Sequence, residues 1–231
     1  MGLTGHLSGH HGFCTKLYFF WGFSPGDYPW GSVCKQLDCG AAGRYASGTA
    51  ACREMAKEGF FLSILYPDAR LFRVTAITKE FLEEHGLRGL ILDVDNTLTT
   101  HNNPQVDEQV LEWLSRRSAD GIAMIILSNN SPERVQPFAE ALKLPFVANA
   151  LKPRRTGYEQ AIRRLGIPPG QIAAVGDQVF TDIAGGNRCG LYTILVEPFD
   201  TKENAFIRLK RAAQRRVLRR YERRRDREKQ V

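Results

Sequence analysis

Hydrophobic residues along this chain fall in short runs, each ended by a polar group. Residues 90–92, 122–127, 146–148, 172–175 and 192–196 are such runs, of the length and composition of strands buried on both faces of a parallel sheet. Between them the apolar spacing becomes helical. Thr78 caps and Gly86 stops a helix over residues 78–85. Asp107, Val110, Leu111 and Leu114 recur at three- and four-residue steps, and Asp120-Gly121 turns the chain into the next strand. Pro132 opens a helix that runs to about Leu142, in the position proline prefers. A further helix covers residues 158–165, closed by Gly166 and Pro168-Pro169, and another covers 182–188, ending at Gly190. Strands alternating with helices through short loops predict an α/β fold, a mainly parallel sheet covered on both faces.

The polar groups at the strand ends carry the candidate chemistry. Asp93 and Asp95 follow the first run, at the carboxyl end where open α/β sheets place their ligands. Residues two apart on a strand share a face, so the two carboxylates are expected to point together. They would then repel unless a cation lies between them or one holds a proton. Ser128-Asn129-Asn130 ends the second run, Lys152 follows the third, and Gly176-Asp177 with Asp182 follows the fourth. Each alone has a plain explanation: a capped turn, a helix cap, a surface lysine, a strand-ending turn. Four in order, each at a strand end, are hard to explain as caps.

Asp-Val-Asp-Asn-Thr-Leu, Leu-Ser-Asn-Asn, Lys152 and Gly-Asp-Gln-x-x-Thr-Asp-Ile-x-Gly-Gly-Asn together resemble the motifs of the haloacid dehalogenase (HAD) superfamily, most of all the YqeG-type group of its subfamily IIIA. The resemblance covers residues 55–198 and implies a three-layer, Rossmann-like HAD fold. Residues 101–106 and the stretch between Ser128 and Lys152 leave no room for a cap domain, so a capless site is expected, open to a phosphate carried on something large. It implies a phosphatase with Asp93 as nucleophile, forming an aspartyl-phosphate, and Asp95 as general acid and base. Mg²⁺ is the expected cofactor, held by Asp93 and Asp177 with the backbone carbonyl of Asp95. Lys152, Ser128 and the amides around Asn129 are expected to bind the phosphoryl oxygens, with Asp182 and Thr97 supporting these groups from behind. Gly185-Gly186-Asn187 reads as a tight backbone turn, with Asn187 at most a remote substrate contact. Cys189 reads as a small buried hydrophobe, with nothing near it to lower its pKa.

Composition changes the picture only at the ends. The net charge is +7, but residues 202–231 hold thirteen Lys/Arg against four Asp/Glu, so the remainder of the chain is close to neutral. Those residues form a basic C-terminal helix with Phe206, Leu209, Ala213, Val217 and Tyr221 as its apolar stripe. Such a helix can dock on the domain, bind RNA, or lie on an anionic lipid surface. An RNA- or ribosome-associated binding protein that uses the basic tail and has a vestigial or regulatory HAD site is therefore the competing reading.

Residues 1–54 read as a disordered leader or an early start, 55–200 as the phosphatase domain, and 201–231 as the basic tail. His6, His10, His11 and Cys14, with Cys34, Cys39 and Cys52, lack the paired spacing that zinc favours. His101 lies near the first motif without a partner signature. Residues 59–66 are apolar and short, suited to packing on the domain. No run approaches the ~20 residues that span a bilayer, and no secretory signal is evident. The expected setting is cytoplasmic, peripheral to a membrane where the substrate is a lipid-borne phosphomonoester.

Overall fold

Among the described residues six parallel strands form one sheet, in the order Ala69–Leu71, Tyr192–Val196, Ile172–Gly176, Gly89–Leu92, Ala123–Leu127 and Phe146–Val147. The computed structural model describes residues 63–100, 105–199 and 205–228, all within one compact unit, Ala50–Val231. The chain runs β1 (Ala69–Leu71), α1 (Lys79–Glu84), β2 (Gly89–Leu92), α2 (Glu108–Ala119), β3 (Ala123–Leu127), α3 (Pro132–Leu142) and β4 (Phe146–Val147). It continues through α4 (Arg155–Leu165), β5 (Ile172–Gly176), α5 (Ala184–Arg188), β6 (Tyr192–Val196) and α6 (Ala205–Glu228), with a π-helical turn, Val179–Ile183, leading into α5. The reading of residues 1–54, with its histidines and cysteines, and of His101 lies outside the described residues.

Alternation along the central strands builds the layers. Leu90 and Leu92 of β2 face one side with Ile126, Val175 and Ile194, and pack under Val110, Trp113 and Leu114 of α2 and Phe138 of α3. Ile91 faces the other side with Ile125, Leu127 and Ala174, against Tyr158 and Ala161 of α4. β2 pairs β3 on one edge and β5 on the other, so the strand order reverses direction at the β2–β5 pair. That crevice is where open α/β sheets bind ligands.

Several local expectations change in three dimensions. Leu111 is 45% exposed; the buried face of α2 is Val110, Trp113, Leu114 and Arg117. Trp113 Nε1 and Arg117 Nη1 both donate to the Ile77 carbonyl, at 2.8 and 3.3 Å, and Arg117 pairs Asp120 at 2.9 Å. Those partners let a charged residue occupy an inward position that apolar spacing alone would not give it. Helix α4 begins at Arg155, one turn before Tyr158. Gly185 and Gly186 sit inside α5 and not in a turn. A Cβ on Gly185 would come within 2.2 Å of the Tyr158 ring, so close helix packing demands the glycine. Asn187 is a structural pin: its Nδ2 donates to the carbonyls of Ile64 and Tyr66, both at 2.9 Å. Ile64 and Leu65 are buried against Val179, Ile183 and Leu218, as packing of this apolar stretch requires.

The predicted stripe on the C-terminal helix holds at Val217 and Tyr221 and fails at Leu209, which is 70% exposed, while Gln214 and Leu218 join the buried face. The inward face follows a polar anchor described below, which a count of apolar positions does not register. Among the described residues no helix is long and apolar enough to cross a membrane.

Candidate active site

β2 ends at Leu92, and the chain curls over the end of the sheet. The Asp93 amide still donates to the Val175 carbonyl at 3.0 Å, fixing this residue beside β5. The Val94 carbonyl then accepts from the amides of Thr97, Leu98 and Thr99, with Asn96 in the left-handed region at φ 62°. Because the strand has ended, alternation does not extend to Asp95. The two carboxylates do not share one partner. Asp95 accepts from Asn130 Nδ2 at 2.6 Å and Arg134 Nη2 at 2.7 Å, while Asp93 turns to Lys152. Each acid of the pair has its own cation.

Lys152 is buried, and its Nζ bridges Asp93 Oδ1 at 2.5 Å and Asp182 Oδ1 at 2.7 Å. Its loop is strained: Asn149 and Leu151 both have left-handed φ, 48° and 54°. The Asn129 side chain holds that loop, accepting from the Lys152 amide at 2.6 Å and donating to its carbonyl at 3.2 Å. Asn129 is thus a clamp on the lysine, and only its backbone is left for a phosphate. Ser128 is buried beneath it, with Oγ accepting from the Asn130 amide at 3.1 Å. Thr97 Oγ1 lies 3.4 Å from Asp93 Oδ2.

Asp182 is locked on its other oxygen by the Gln178 amide at 3.1 Å and Thr181 Oγ1 at 3.3 Å. Its side chain lies against Gly176, where a Cβ would come within 2.3 Å of the Asp182 carboxyl carbon. Gly176→Ala is expected to push Asp182 off Lys152, lowering activity by at least tenfold and stability by about 1–3 kcal/mol. Steady-state kinetics beside thermal melting would check it; wild-type values for both would show that the neighbour yields freely.

Asp177 is fully buried at the end of β5. Its Oδ2 accepts from Arg211 Nη2, and its backbone carbonyl accepts from Arg211 Nη1 at 2.7 Å and Gln214 Nε2 at 3.1 Å. Its Oδ1 is buried with no hydrogen-bond partner among the described residues. One oxygen from each of Asp93, Asp177 and Asp182 falls in a cluster with all separations within 4.8 Å. Three carboxylates there face two cations, Lys152 and Arg211. Burial raises the pKa of Asp93, and the neighbouring Asp182 and Asp177 add to it, against the pull of Lys152. Burial likewise raises that of Asp177, with Arg211 opposing. Burial works against the Lys152 ammonium, but Asp182 and Asp93 together hold its pKa above the ordinary lysine value. An all-oxygen donor set with residual negative charge and one unbonded carboxylate oxygen fits a hard divalent cation.

Sequence reasoning brought Asp93, Lys152, Asp177 and Asp182 to this crevice but did not find Arg211, Gln214, Asn130 or Arg134. Asn130 and Arg134 carried a weak signal, since they flank the second motif and open α3. Cys189 is half-buried with its pKa raised to about 11, chiefly by burial, consistent with an inert thiol. His85 stacks on Phe81 at 4.4 Å and its ring nitrogen meets the Phe81 carbonyl, a packing role.

A HAD-hydrolase-like family profile matches residues 150–217. The probable phosphatase YqeG of Bacillus subtilis is 36% identical over 159 residues, covering 69% of this chain and 90% of that protein. The chain belongs to the HAD family of phosphatases. Two further relatives of this HAD phosphatase are phosphatidylglycerophosphate phosphatases. The chloroplastic protein of Chlamydomonas reinhardtii is 32% identical, covering 54% of this chain and 50% of its own length. The chloroplastic/mitochondrial protein of Arabidopsis thaliana is 30% identical, covering 55% and 39%. The chain therefore spans half or less of those two proteins.

Proposed function

We propose that this phosphatase is a Mg²⁺-dependent phosphomonoesterase that works through an aspartyl-phosphate on Asp93, with phosphatidylglycerophosphate as its substrate. The observation that carries the mechanism is the buried Asp93–Lys152–Asp182 bridge beside Asp177, whose Oδ1 is left unbonded. Asp93 attacks phosphorus; the O–P bond to the carboxylate forms as the ester O–P bond breaks. Asp95, released from Asn130 and Arg134 and protonated when the ester is bound, gives that proton to the departing alkoxide. It then takes a proton from water as that water attacks the aspartyl-phosphate, releasing inorganic phosphate and freeing Asp93. Lys152, Ser128 and the Asn129 amide hold the phosphoryl oxygens through both steps. Mg²⁺, held by Asp93, Asp177 and the Asp95 carbonyl, would neutralise charge between carboxylate and phosphate.

The lipid substrate rests on the two phosphatidylglycerophosphate phosphatase relatives and on a surface suited to a bilayer. Phe72, 66% exposed, and Leu209 flank a groove of about 1310 Å³ between the sheet edge and α6, whose walls carry Arg70 and Arg215 beside Glu197, Glu222 and Asp226. Exposed apolar side chains among charged ones suit a lipid–water interface. The test is phosphate release by the full chain from phosphatidylglycerophosphate in mixed micelles and from p-nitrophenyl phosphate, each with Mg²⁺ and with EDTA. Expected is Mg²⁺-dependent release with kcat/KM at least 100-fold higher for the lipid. Turnover of the soluble ester with the lipid untouched would reject the substrate; RNA binding with no turnover of either would reject the enzyme reading.

A further inference from the structure

An arginine-rich helix in water keeps its guanidiniums solvated, and Arg215, Arg216, Arg219, Arg220 and Arg223 of α6 are exposed. Arg211 is the contrast: its side chain is 11% exposed and points into the site against a fully buried carboxylate. We propose that Arg211, with Gln214 one turn along α6, is a positioning residue that fixes Asp177 so that Oδ1 alone is presented to the divalent cation. The inference rests on the cation site proposed above.

The geometry supports it in three ways. First, the planar Arg211 fork spans two acceptors of the same residue, the Asp177 backbone carbonyl and Oδ2, and so fixes both the backbone and the carboxylate plane. Second, Gln214 bonds both ends of the turn, donating to the Asp177 carbonyl and accepting from the Val179 amide at 3.1 Å. Third, the grip leaves Oδ1 buried and, among the described residues, unbonded, an arrangement that is unfavourable until a ligand completes it. A helix outside the sheet and its crossovers thus supplies the partner that orients a ligand. Leu218, buried against Ile183 and Leu195, and Tyr221, its ring tilted against that of Tyr66 with centroids 5.4 Å apart, keep that helix docked.

Two effects of Arg211 oppose each other. Its charge repels a bound cation, whereas its bonds orient the carboxylate and favour its ionised form. Partners that hydrogen-bond metal ligands typically contribute about 10–100-fold to metal affinity, which sets the expected sign.

The test is Mn²⁺ binding to the full chain by titration calorimetry without substrate, beside thermal melting in EDTA. Arg211→Gln is expected to bind Mn²⁺ about 10–100-fold more weakly than wild type, with Arg211→Lys in between because a single ammonium cannot span both acceptors. Glu222→Gln, which breaks only the surface pair to Arg70 at the far end of the helix, is expected to bind as wild type does. Wild-type or tighter Mn²⁺ binding by Arg211→Gln would overturn the proposal and make the arginine a bystander or a competitor. If wild type binds no Mn²⁺, or binds it undiminished after Asp177→Asn, the cation site itself fails and the proposal with it. Should Arg211→Gln be unfolded in EDTA, Arg211→Lys decides: folded with intermediate affinity supports positioning, and unfolded as well assigns Arg211 to stability alone.

Discussion

Asp93→Asn is expected to abolish phosphate release, by about 10⁴-fold or more, and to leave the protein folded with a melting temperature no lower than wild type. The chemical half follows from the atom removed. An amide nitrogen at that position cannot form the acyl-phosphate, and neither Asp182 nor Asp95 is free to replace it, while the open oxygen of Asp177 is the one proposed to hold the cation. Asp182 is committed on both oxygens, to Lys152 on one side and to the Gln178 amide and Thr181 on the other. Asp95 is held away by Asn130 and Arg134. The stability half follows from burial. Asp93 sits among two other carboxylates, and its raised pKa records that the ionised form is disfavoured there. A neutral isostere removes that repulsion, and Lys152 retains Asp182 as its partner. Phosphate release under saturating Mg²⁺, with melting in parallel, checks both halves. Activity above about 1% of wild type would place the nucleophile elsewhere. Beryllium fluoride, which mimics a carboxyl-bound phosphoryl group, should protect wild type against thermal unfolding and leave the variant unchanged.

What the sequence made legible was whatever local pattern determines. Residues 90–92 and 172–175 are apolar because both faces of those strands are covered, so each strand and the polar group that follows it could be read without the fold. Pro132 and Thr78 mark helix starts by backbone chemistry alone, and both do so in the structure. Partnerships between distant segments were not legible. Ala69–Leu71 is a three-residue edge strand with an arginine at its centre, and only its pairing with β6 makes it a strand. Arg211 and Gln214 read as solvated positions of a basic helix because periodicity counts apolar residues; their burial comes from hydrogen bonds to Asp177, 34 and 37 positions earlier in the chain. Asp95 read as facing with Asp93 because the strand was expected to continue through it. Its true direction is set by the turn that Val94 closes.

Lys152→Met should cost the metal-free protein roughly 3–5 kcal/mol at pH 8, lowering the melting temperature by about 10 °C, and the cost should shrink toward pH 5.5. Methionine keeps the apolar stem of the lysine in its buried slot but removes the ammonium that lies between Asp93 and Asp182. Two buried carboxylates then face each other beside Asp177 with no lysine charge to offset them. The folded variant responds by holding protons that the unfolded chain, with ordinary carboxylate pKa values near ~4, has already released. More protons bound in the native state means that stability falls as pH rises through this window. Asp93 is raised less in wild type, where Lys152 opposes the effect of burial, so the difference between the two proteins grows with pH. The lysine itself contributes no pH dependence in this range, since its pKa lies above the ordinary value and it stays charged in both states. Melting curves in EDTA at pH 5.5 and pH 8 read the effect directly. An equal loss at both pH values would mean that the carboxylates are not left bare, and that the loss is one of packing. Mg²⁺ should recover part of the lost stability at pH 8, because a divalent cation in the carboxylate cluster supplies the charge that the substitution removes.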